Sequence, residues 1–380
     1  MNISRIIIKN WKNFKWVDTS LNKRMFIVGP NASGKSNFLD VFRFFYDIVK
    51  PGGGLKSAIQ TRGGFSNIYC LSTNQAEDIE LEITLSADSV SWIYSIGINQ
   101  YEYLSYEKVI KNGQLIINRP DQDDISDQIL LTQTFLEQVI ANKAFREIAD
   151  FFEAVSYFHL VPQLVRYPEI SSKKILTDDS YGTNFTSRLS SIDGQLREYR
   201  LNVIEKALCQ AIPQLSKISF NKNDDGIPHL EAIFQHWKSG KHQESQFSDG
   251  MLRLFGLLWI LIENHSLKLF EEPELSLNTS IIRELPALMY RLQAEQDQVF
   301  ISTHSYDLLS DEGINAEEVL LLIPENSGTQ IKLASSIPEI NLLLEENMRI
   351  ADAVLPYTNP KDIIQWSFIH NGNDTDKYCS

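Results

Sequence analysis

Hydrophobic positions along the chain change period several times, and each change marks an element. Residues 3–8 and 14–21 predict a first hairpin, and Met25-Phe26-Ile27-Val28 is an apolar run short enough for a buried strand. Behind it Phe38, Leu39, Val41, Phe42, Phe45 and Ile48 fall on one helical face until Pro51-Gly52-Gly53-Gly54 ends the series. Arg62-Gly63-Gly64 marks a loop. From 78 to 118 the period becomes two: Ile79, Leu81, Ile83 and Leu85 alternate with polar residues, and Val90, Trp92, Tyr94, Ile96 and Ile98 form a second series. Runs at 102–110 and 114–118 flank Asn112-Gly113, a strong hairpin signal, so this region reads as an antiparallel meander. The spacing of Leu130, Leu131, Phe135, Val139, Ile140, Phe145, Ile148, Phe151 and Phe152 predicts a helix over 127–156, and another helical stretch follows at 185–212. Strands are expected at 216–221 and 229–236 around Asn223-Asp224-Asp225-Gly226, a helix at 278–296, and strands at 318–323 and 329–334 before terminal helices. Residues 371–380 read as a frayed tail.

The strand–helix junction at Val28 carries the first chemistry. Gly29-Pro30-Asn31-Ala32-Ser33-Gly34-Lys35-Ser36 fits G-x-x-x-x-G-K-S, the phosphate-binding P-loop, in the strand–loop–helix context that the motif requires. Gly29 and Gly34 let the backbone curl so that N–H groups face phosphate oxygens, and the helix start at Ser36-Asn37 adds its dipole. Lys35 is expected to reach the β- and γ-phosphates, and the Ser36 hydroxyl to ligate Mg²⁺.

A second half-site follows. Leu267–Phe270 is a short strand that delivers Glu271 and Glu272 at its C-terminal end, ahead of Pro273-Glu274. Glu271 is expected in the Mg²⁺ shell, and Glu272 is expected to polarise an attacking water. A further buried-type strand, Val299-Phe300-Ile301-Ser302-Thr303, ends on His304, placed to sense the γ-phosphate. Between the halves, Phe247-Ser248-Asp249-Gly250-Met251-Leu252-Arg253 opens an apolar helix with Ser248 as its N-cap.

Composition narrows the setting. Hydrophobic content of 43% and charged content of 22% are ordinary for a globular chain of 380 residues. Cys70, Cys209 and Cys379 lie far apart without metal spacing, which suits a reducing cytoplasm. No signal peptide precedes the first strand, and the longest apolar run, Leu254 to Ile262, is too short to span a bilayer. A net charge of −14 argues against a DNA-coated protein. The first 24 residues are locally basic, with Arg5, Lys9, Lys12, Lys15, Lys23 and Arg24 against Asp18 alone, a pattern that a solvated strand edge also gives. Residues 311–380 hold twelve acidic residues and four basic ones, a poor surface for DNA.

P-loop, Ser-x-Gly signature, acidic strand and histidine, in this order, resemble the ATP-binding-cassette (ABC) ATPase superfamily. The Ile-Lys-Asn-Trp-Lys-Asn-Phe segment, the Arg-Gly-Gly loop, Ser-Asp-Gly-x-x-Arg and Glu-Glu-Pro-Glu resemble its RecF/SMC/OLD-like branch, in particular stand-alone bacterial AAA-type ATPases of DNA maintenance or anti-phage defence. The resemblance implies an α/β fold: a P-loop ABC-type head over 1–360, with a mixed core sheet, the antiparallel meander of 78–118 and a helical insertion lobe at 125–215. Signature, Walker B and switch would occupy 240–335, and 361–380 would be a tail. It implies ATP and Mg²⁺ as ligands and a homodimer with ATP sandwiched between one P-loop and the partner's signature. Ser248 and Gly250 would then touch the γ-phosphate of the other subunit. The Q-loop glutamine is expected at Gln163, with Gln60 as the other choice. The usual signature reads Ser-Gly-Gly, so Asp249 puts an acidic side chain at the interface.

No heptad series long enough for the coiled coils of the chromosome-type relatives is present. The residues after His304 read as strands and helices, not as an appended nuclease. The sequence therefore reads as an ABC-type switch ATPase that hydrolyses ATP and controls a separate effector, a nuclease or toxin, in bacterial anti-phage defence. The alternative is a DNA-binding clamp acting in repair or recombination. A membrane transporter's ATPase fits the meander and the signature poorly.

Overall fold

The computed structural model describes residues 1–70, 72, 77–166, 185–235, 240–294 and 296–358. The expected tail, 361–380, lies outside these residues, as does part of the expected insertion lobe. β1 (Asn2–Trp11) and β2 (Phe14–Ser20) form the first hairpin and lead into β3 (Arg24–Val28), from which the P-loop runs into α1 (Lys35–Val49). Short helices α2 (Leu55–Gln60) and α3 (Phe65–Ile68) flank the Arg-Gly-Gly loop. The meander follows as β4 (Ile79–Ala87), β5 (Val90–Ile98), β6 (Leu104–Lys111) and β7 (Gln114–Arg119). Asn112 and Gly113 both take positive φ between β6 and β7, as a tight right-twisting hairpin turn demands. With β1 and β2 these strands make a six-stranded sheet in the order β2-β1-β4-β5-β6-β7.

The helix expected over 127–156 is not continuous. After α4 (Gln122–Ser126), which ends ahead of that range, α-helix forms within it only at α5 (Arg146–Glu153), with 3₁₀ turns at Gln128–Thr132 and Ala141–Ala144 between the two. The cause is a buried ionic clamp from the meander. Arg119 donates to the Leu130 and Gln133 carbonyls at 2.9 Å each, and Glu107 accepts from the Phe135 and Leu136 amides at 2.8 and 3.2 Å. Backbone groups that a helix would pair with itself are spoken for, so Ile129, Val139 and Ile140 stay exposed despite their helical spacing.

β8 (Val155–Phe158) and α6 (Pro162–Arg166) precede a second break with expectation. The stretch 185–212 is two helices, α7 (Phe185–Ser191) and α8 (Gly194–Ala211), because the Asp193 carboxylate caps the second by accepting from Gln195 and Leu196 amides. β9 (Leu215–Lys222), β10 (Pro228–Phe234) and β11 (Lys241–Gln243) form a three-stranded antiparallel sheet beside them. The chain then runs through α9 (Asp249–Ile262), β12 (Leu267–Glu271), α10 (Thr279–Leu292), β13 (Gln298–Thr303) and the single turn α11 (Tyr306–Leu309). β14 (Val319–Glu325), β15 (Gly328–Leu333), α12 (Pro338–Glu345) and α13 (Ile350–Thr358) complete the described chain.

The core sheet is mixed, in the order β15-β14-β3-β13-β12-β8, and only β15 runs antiparallel to its neighbour. Its unbroken apolar runs serve two faces. Met25 and Ile27 of β3 enter one core with the α1 phenylalanines and the meander, whereas Phe26 and Val28 enter another with α9 and α10. A strand covered on both faces loses the polar alternation of a half-exposed one, and all five residues of β3 are buried.

Candidate functional site

Because β3, β13 and β12 are parallel neighbours, the loops leaving their C-terminal ends emerge together at one edge of the sheet. The P-loop leaves β3. At Gly29 a Cβ would lie 2.7 Å from the Leu322 carbonyl, and at Gly34, with φ +99°, it would collide with the Asn13 amide, so both positions require glycine. Pro30, Asn31 and Ala32 carry the exposed crest of the loop, with Ala32 at φ +63°. The Asn13 side chain donates to the Ser33 carbonyl at 2.9 Å and accepts from Asn37 at 2.7 Å, while Thr329 donates to the same carbonyl at 2.9 Å. The first hairpin and β15 thus brace the loop from both sides.

Lys35 is 7% exposed and its ammonium donates to the Gly29 and Pro30 carbonyls at 3.0 and 3.2 Å. Burial pushes that ammonium below the ordinary lysine range, and the carboxylates of Glu272, Glu274 and Glu271 pull it back. Ser36 is exposed, and its hydroxyl donates to Glu271 from the end of β12. The other Glu271 oxygen accepts from the Tyr157 hydroxyl of β8, and the Arg43 guanidinium lies 4.0 Å from the Tyr157 ring centre. Hydroxyl and carboxylate facing each other beside a buried lysine make an oxygen donor set suited to a hard cation such as Mg²⁺.

Glu272 adopts φ +44°, a left-handed conformation costly for a residue with a side chain, and its amide donates to Ser302 at 3.0 Å. That turn carries its carboxylate to His304, which leaves β13; Glu272 Oε1 and His304 Nδ1 are 3.1 Å apart. Glu274 is turned inward, and burial raises its carboxyl above the usual range.

The signature opens α9. Ser248 is exposed and caps the helix by accepting from the Met251 amide at 3.2 Å. Gly250 has a local reason to be glycine, since a Cβ would lie 2.6 Å from the Ser276 carbonyl in the loop after Glu274. Asp249 is not a free acid: Arg166 of α6 approaches it to 2.6 Å and also donates to the Phe247 carbonyl. The structure thus brings the signature against the Glu272–Ser276 loop of its own chain, and the hydrogen bonds of Ser248 and Asp249 run to Met251 and Arg166, not to the P-loop. Gln163 is exposed on α6, which leaves the C-terminal side of β8 next to β12, whereas Gln60 is exposed at the end of α2. Neither glutamine is brought into contact with the P-loop by a described hydrogen bond.

This edge of P-loop, paired glutamates and histidine coincides with a known family. Residues 24–311 match the family model described as "AAA domain, putative AbiEii toxin, Type IV TA system". The chain belongs to that AAA-domain family. Comparison with curated proteins gives no match. Among solved structures it is similar to an Smc head bound to the C-winged helix domain of ScpA, at 12% identity and a TM-score of 0.54, over 87% of this chain and 97% of that one. It is also similar to an Smc head with an extended coiled coil bound to the C-terminal domain of ScpA from Pyrococcus furiosus, at 14% identity, TM-score 0.51, and 91% and 100% coverage. A third similar structure is an Smc head with coiled coil and joint from Pyrococcus yayanosii, at 12% identity, TM-score 0.50, and 91% and 100% coverage. The likeness to Smc heads shows the fold, that of a P-loop ATPase head, and the family model shows the membership.

For this AAA-domain chain, motif spacing alone does not reveal Asn13, Tyr157, Thr303 and Thr329. Each reaches the site from a different strand or turn, so only the sheet order discloses them. Glu274 stands in the quoted Glu-Glu-Pro-Glu stretch, but its inward turn has no sequence signature.

Proposed function

We propose that the chain is an ATP-binding and hydrolysing switch that closes as a homodimer around ATP and passes its state to a separate effector, a nuclease or toxin of a cytoplasmic anti-phage system. The observation that carries the reading is the direct contact of Ser36 with Glu271, beside buried Lys35 and one residue before the Glu272–His304 pair. In this reading the loop N–H groups from Pro30 to Asn37 and the Lys35 ammonium hold the phosphates, Ser36 and Glu271 hold Mg²⁺, and Glu272 orients and deprotonates the attacking water with His304 beside it. The ion when bound neutralises phosphate charge. Gln163 is the Q-loop candidate because α6 both follows β8 and grips the signature through Arg166. The head spans 1–360 and the partner's Ser248 and Gly250 complete each site, in keeping with hydrogen bonds of the signature that run to Met251 and Arg166 and not to the P-loop of their own chain.

The DNA-clamp reading draws on the basic N-terminus, and the pairing of that segment weakens it. Arg5 meets Asp18, Lys9 meets Glu80, Lys12 meets Asp40 and Arg24 meets Glu318, at 2.6 to 2.9 Å. Charges matched within the chain offer little to phosphates. Among the described residues no helix is long and apolar enough to cross a membrane. The test is sedimentation of Glu272→Gln with Mg²⁺ and ATP: an ATP-dependent dimer is expected. A species that stays monomeric at every concentration, under conditions where the wild type turns over, overturns the sandwich.

A further inference from the structure

Glu274 is the buried ionisable group at this edge to which the reading above gives no work. It is 5% exposed, and its two oxygens differ sharply: Oε1 accepts the Thr303 hydroxyl at 2.5 Å, while Oε2 is buried without a hydrogen-bond partner among the described residues. The Thr303 oxygen in turn accepts the Ser305 amide at 3.0 Å, and Ser305 caps α11 by accepting from the Leu308 amide at 3.2 Å. His304 sits between the two residues that this chain of bonds fixes. Its imidazole is 47% exposed and, among the described residues, hydrogen-bonds Glu272 alone, so its own contacts do not hold the backbone beneath it.

We propose that Glu274, acting through the Thr303 hydroxyl, is the positioning residue that sets the His304 loop against Glu272. A buried carboxyl that accepts the Thr303 hydroxyl fixes an oxygen to which the Ser305 amide donates, so the bonds hold the loop on both flanks of the histidine, while its imidazole faces solvent and ligand. The groups around Glu274 act on its carboxyl in opposite directions. Glu272 lies near and opposes a second negative charge, whereas His304 and Lys35 draw the other way, and burial outweighs them. The left-handed turn at Glu272, followed by Pro273, leaves the Glu272 carboxylate at His304 and the Glu274 carboxyl buried, two positions apart in the chain.

This inference rests on the reading of His304 as a group at the γ-phosphate, and the experiment keeps the two separable. Nitrogen-detected NMR of the imidazoles, with the His304 signal assigned by its loss in His304→Ala, reports loop position with no turnover needed. In Thr303→Val and Glu274→Ala the His304 signal is expected to move, and kcat to fall about tenfold to a hundredfold with nucleotide Kd unchanged. Thr303→Ser and Glu274→Gln keep the hydroxyl and the acceptor, and both should restore the signal and hold kcat within about threefold of wild type. If Glu274→Ala does not fold, Thr303→Val carries the test. An unmoved His304 signal in Thr303→Val overturns the proposal, and so does a Glu274→Gln that behaves like Glu272→Gln. A wild type without ATPase activity removes the catalytic reading, and the imidazole spectra then decide the positioning claim by themselves.

Discussion

The two halves of the candidate site are built in opposite ways. On the P-loop side every element is braced from within the chain: Asn13 and Thr329 hold Ser33, Asn37 bonds Asn13, and Lys35 is folded onto its own loop carbonyls. α1 is anchored as firmly below, where Arg62 of the Arg-Gly-Gly loop donates to Asp40 through two nitrogens and to Asp47 through a third bond, under the Phe44 ring. The signature side has none of this. Ser248 is exposed, its hydroxyl caps the helix, and Arg166 of α6 ties the start of α9 down through Asp249 and the Phe247 carbonyl. A phosphate cradle must be preorganised, because its donors gain little if they first have to be collected. A surface that meets a second subunit has its missing contacts supplied by that subunit, and exposure is then its resting condition.

The largest effects should come from the preorganised half. Lys35→Ala is expected to abolish nucleotide binding, read by equilibrium titration with a fluorescent ATP analogue. Glu272→Gln is expected to bind ATP as tightly as wild type and to lose about two to four orders of magnitude in turnover. Near-normal turnover in Glu272→Gln would move the base assignment to Glu271. On the other half, Ser248→Arg should leave the titration unchanged and remove hydrolysis, since the new side chain would occupy the partner's γ-phosphate. Turnover that survives Ser248→Arg means that the site works within one chain, and the contrast between the halves dissolves.

That contrast was partly legible in the sequence, and what was missed has a physical reason. The P-loop, β12 and β13 announce themselves because glycine demand, apolar runs and terminal acids are local patterns. The meander is equally clear, with Ile79 to Ile98 alternating as the pairing β4–β5 requires. Residues 127–156 misled because their apolar spacing is helical while the energy lies elsewhere: Arg119 and Glu107, both buried, take the backbone groups a helix would need. Asn13 and Thr329 are far apart in sequence and meet only because β15 crosses back beside β2. Asp249 looked like a charge facing the interface, and only the placement of α6 shows the guanidinium that neutralises it.

The bracing of α1 gives a smaller, pH-dependent effect. Asp40 is 8% exposed, and with Arg62 and Lys12 beside it the carboxyl is held down to about 2 against the burial that would raise it. A group depressed in the folded state contributes stability above its unfolded value and loses it as the pH falls through the folded one. The Asp40 contribution should therefore be full above about pH 4 and fade between about pH 4 and 2. Asp40→Asn is expected to cost about 2 kcal/mol near neutrality and to flatten the acid limb of the stability curve, measured by urea unfolding from pH 2 to 7. An unchanged acid limb would place the anchor of α1 in its phenylalanines and not in this ion cluster.

The smallest effect tests the ion pair on the signature side. Asp249 is partly exposed and meets Arg166 in a single close contact, the kind of pair that solvent screens well, so neither residue should matter much to folding. Their value would lie in orientation: α6 carries Gln163 and grips the start of α9, so the pair is the shortest link between the expected Q-loop and the surface offered to a second subunit. Asp249→Ala and Arg166→Ala are each expected to weaken ATP-dependent association of a Glu272→Gln background about two- to fivefold, with melting temperature nearly unchanged. The double variant should be no worse than Arg166→Ala alone, which already removes both the ion pair and the bond to the Phe247 carbonyl. Effects that add in full would mean that the two residues act separately, Asp249 as an acid at the interface and Arg166 through α6. Association that strengthens in Asp249→Ala would show that the acid repels the partner's phosphates in spite of its guanidinium, and the usual Ser-Gly-Gly signature would then be the tighter one for this head.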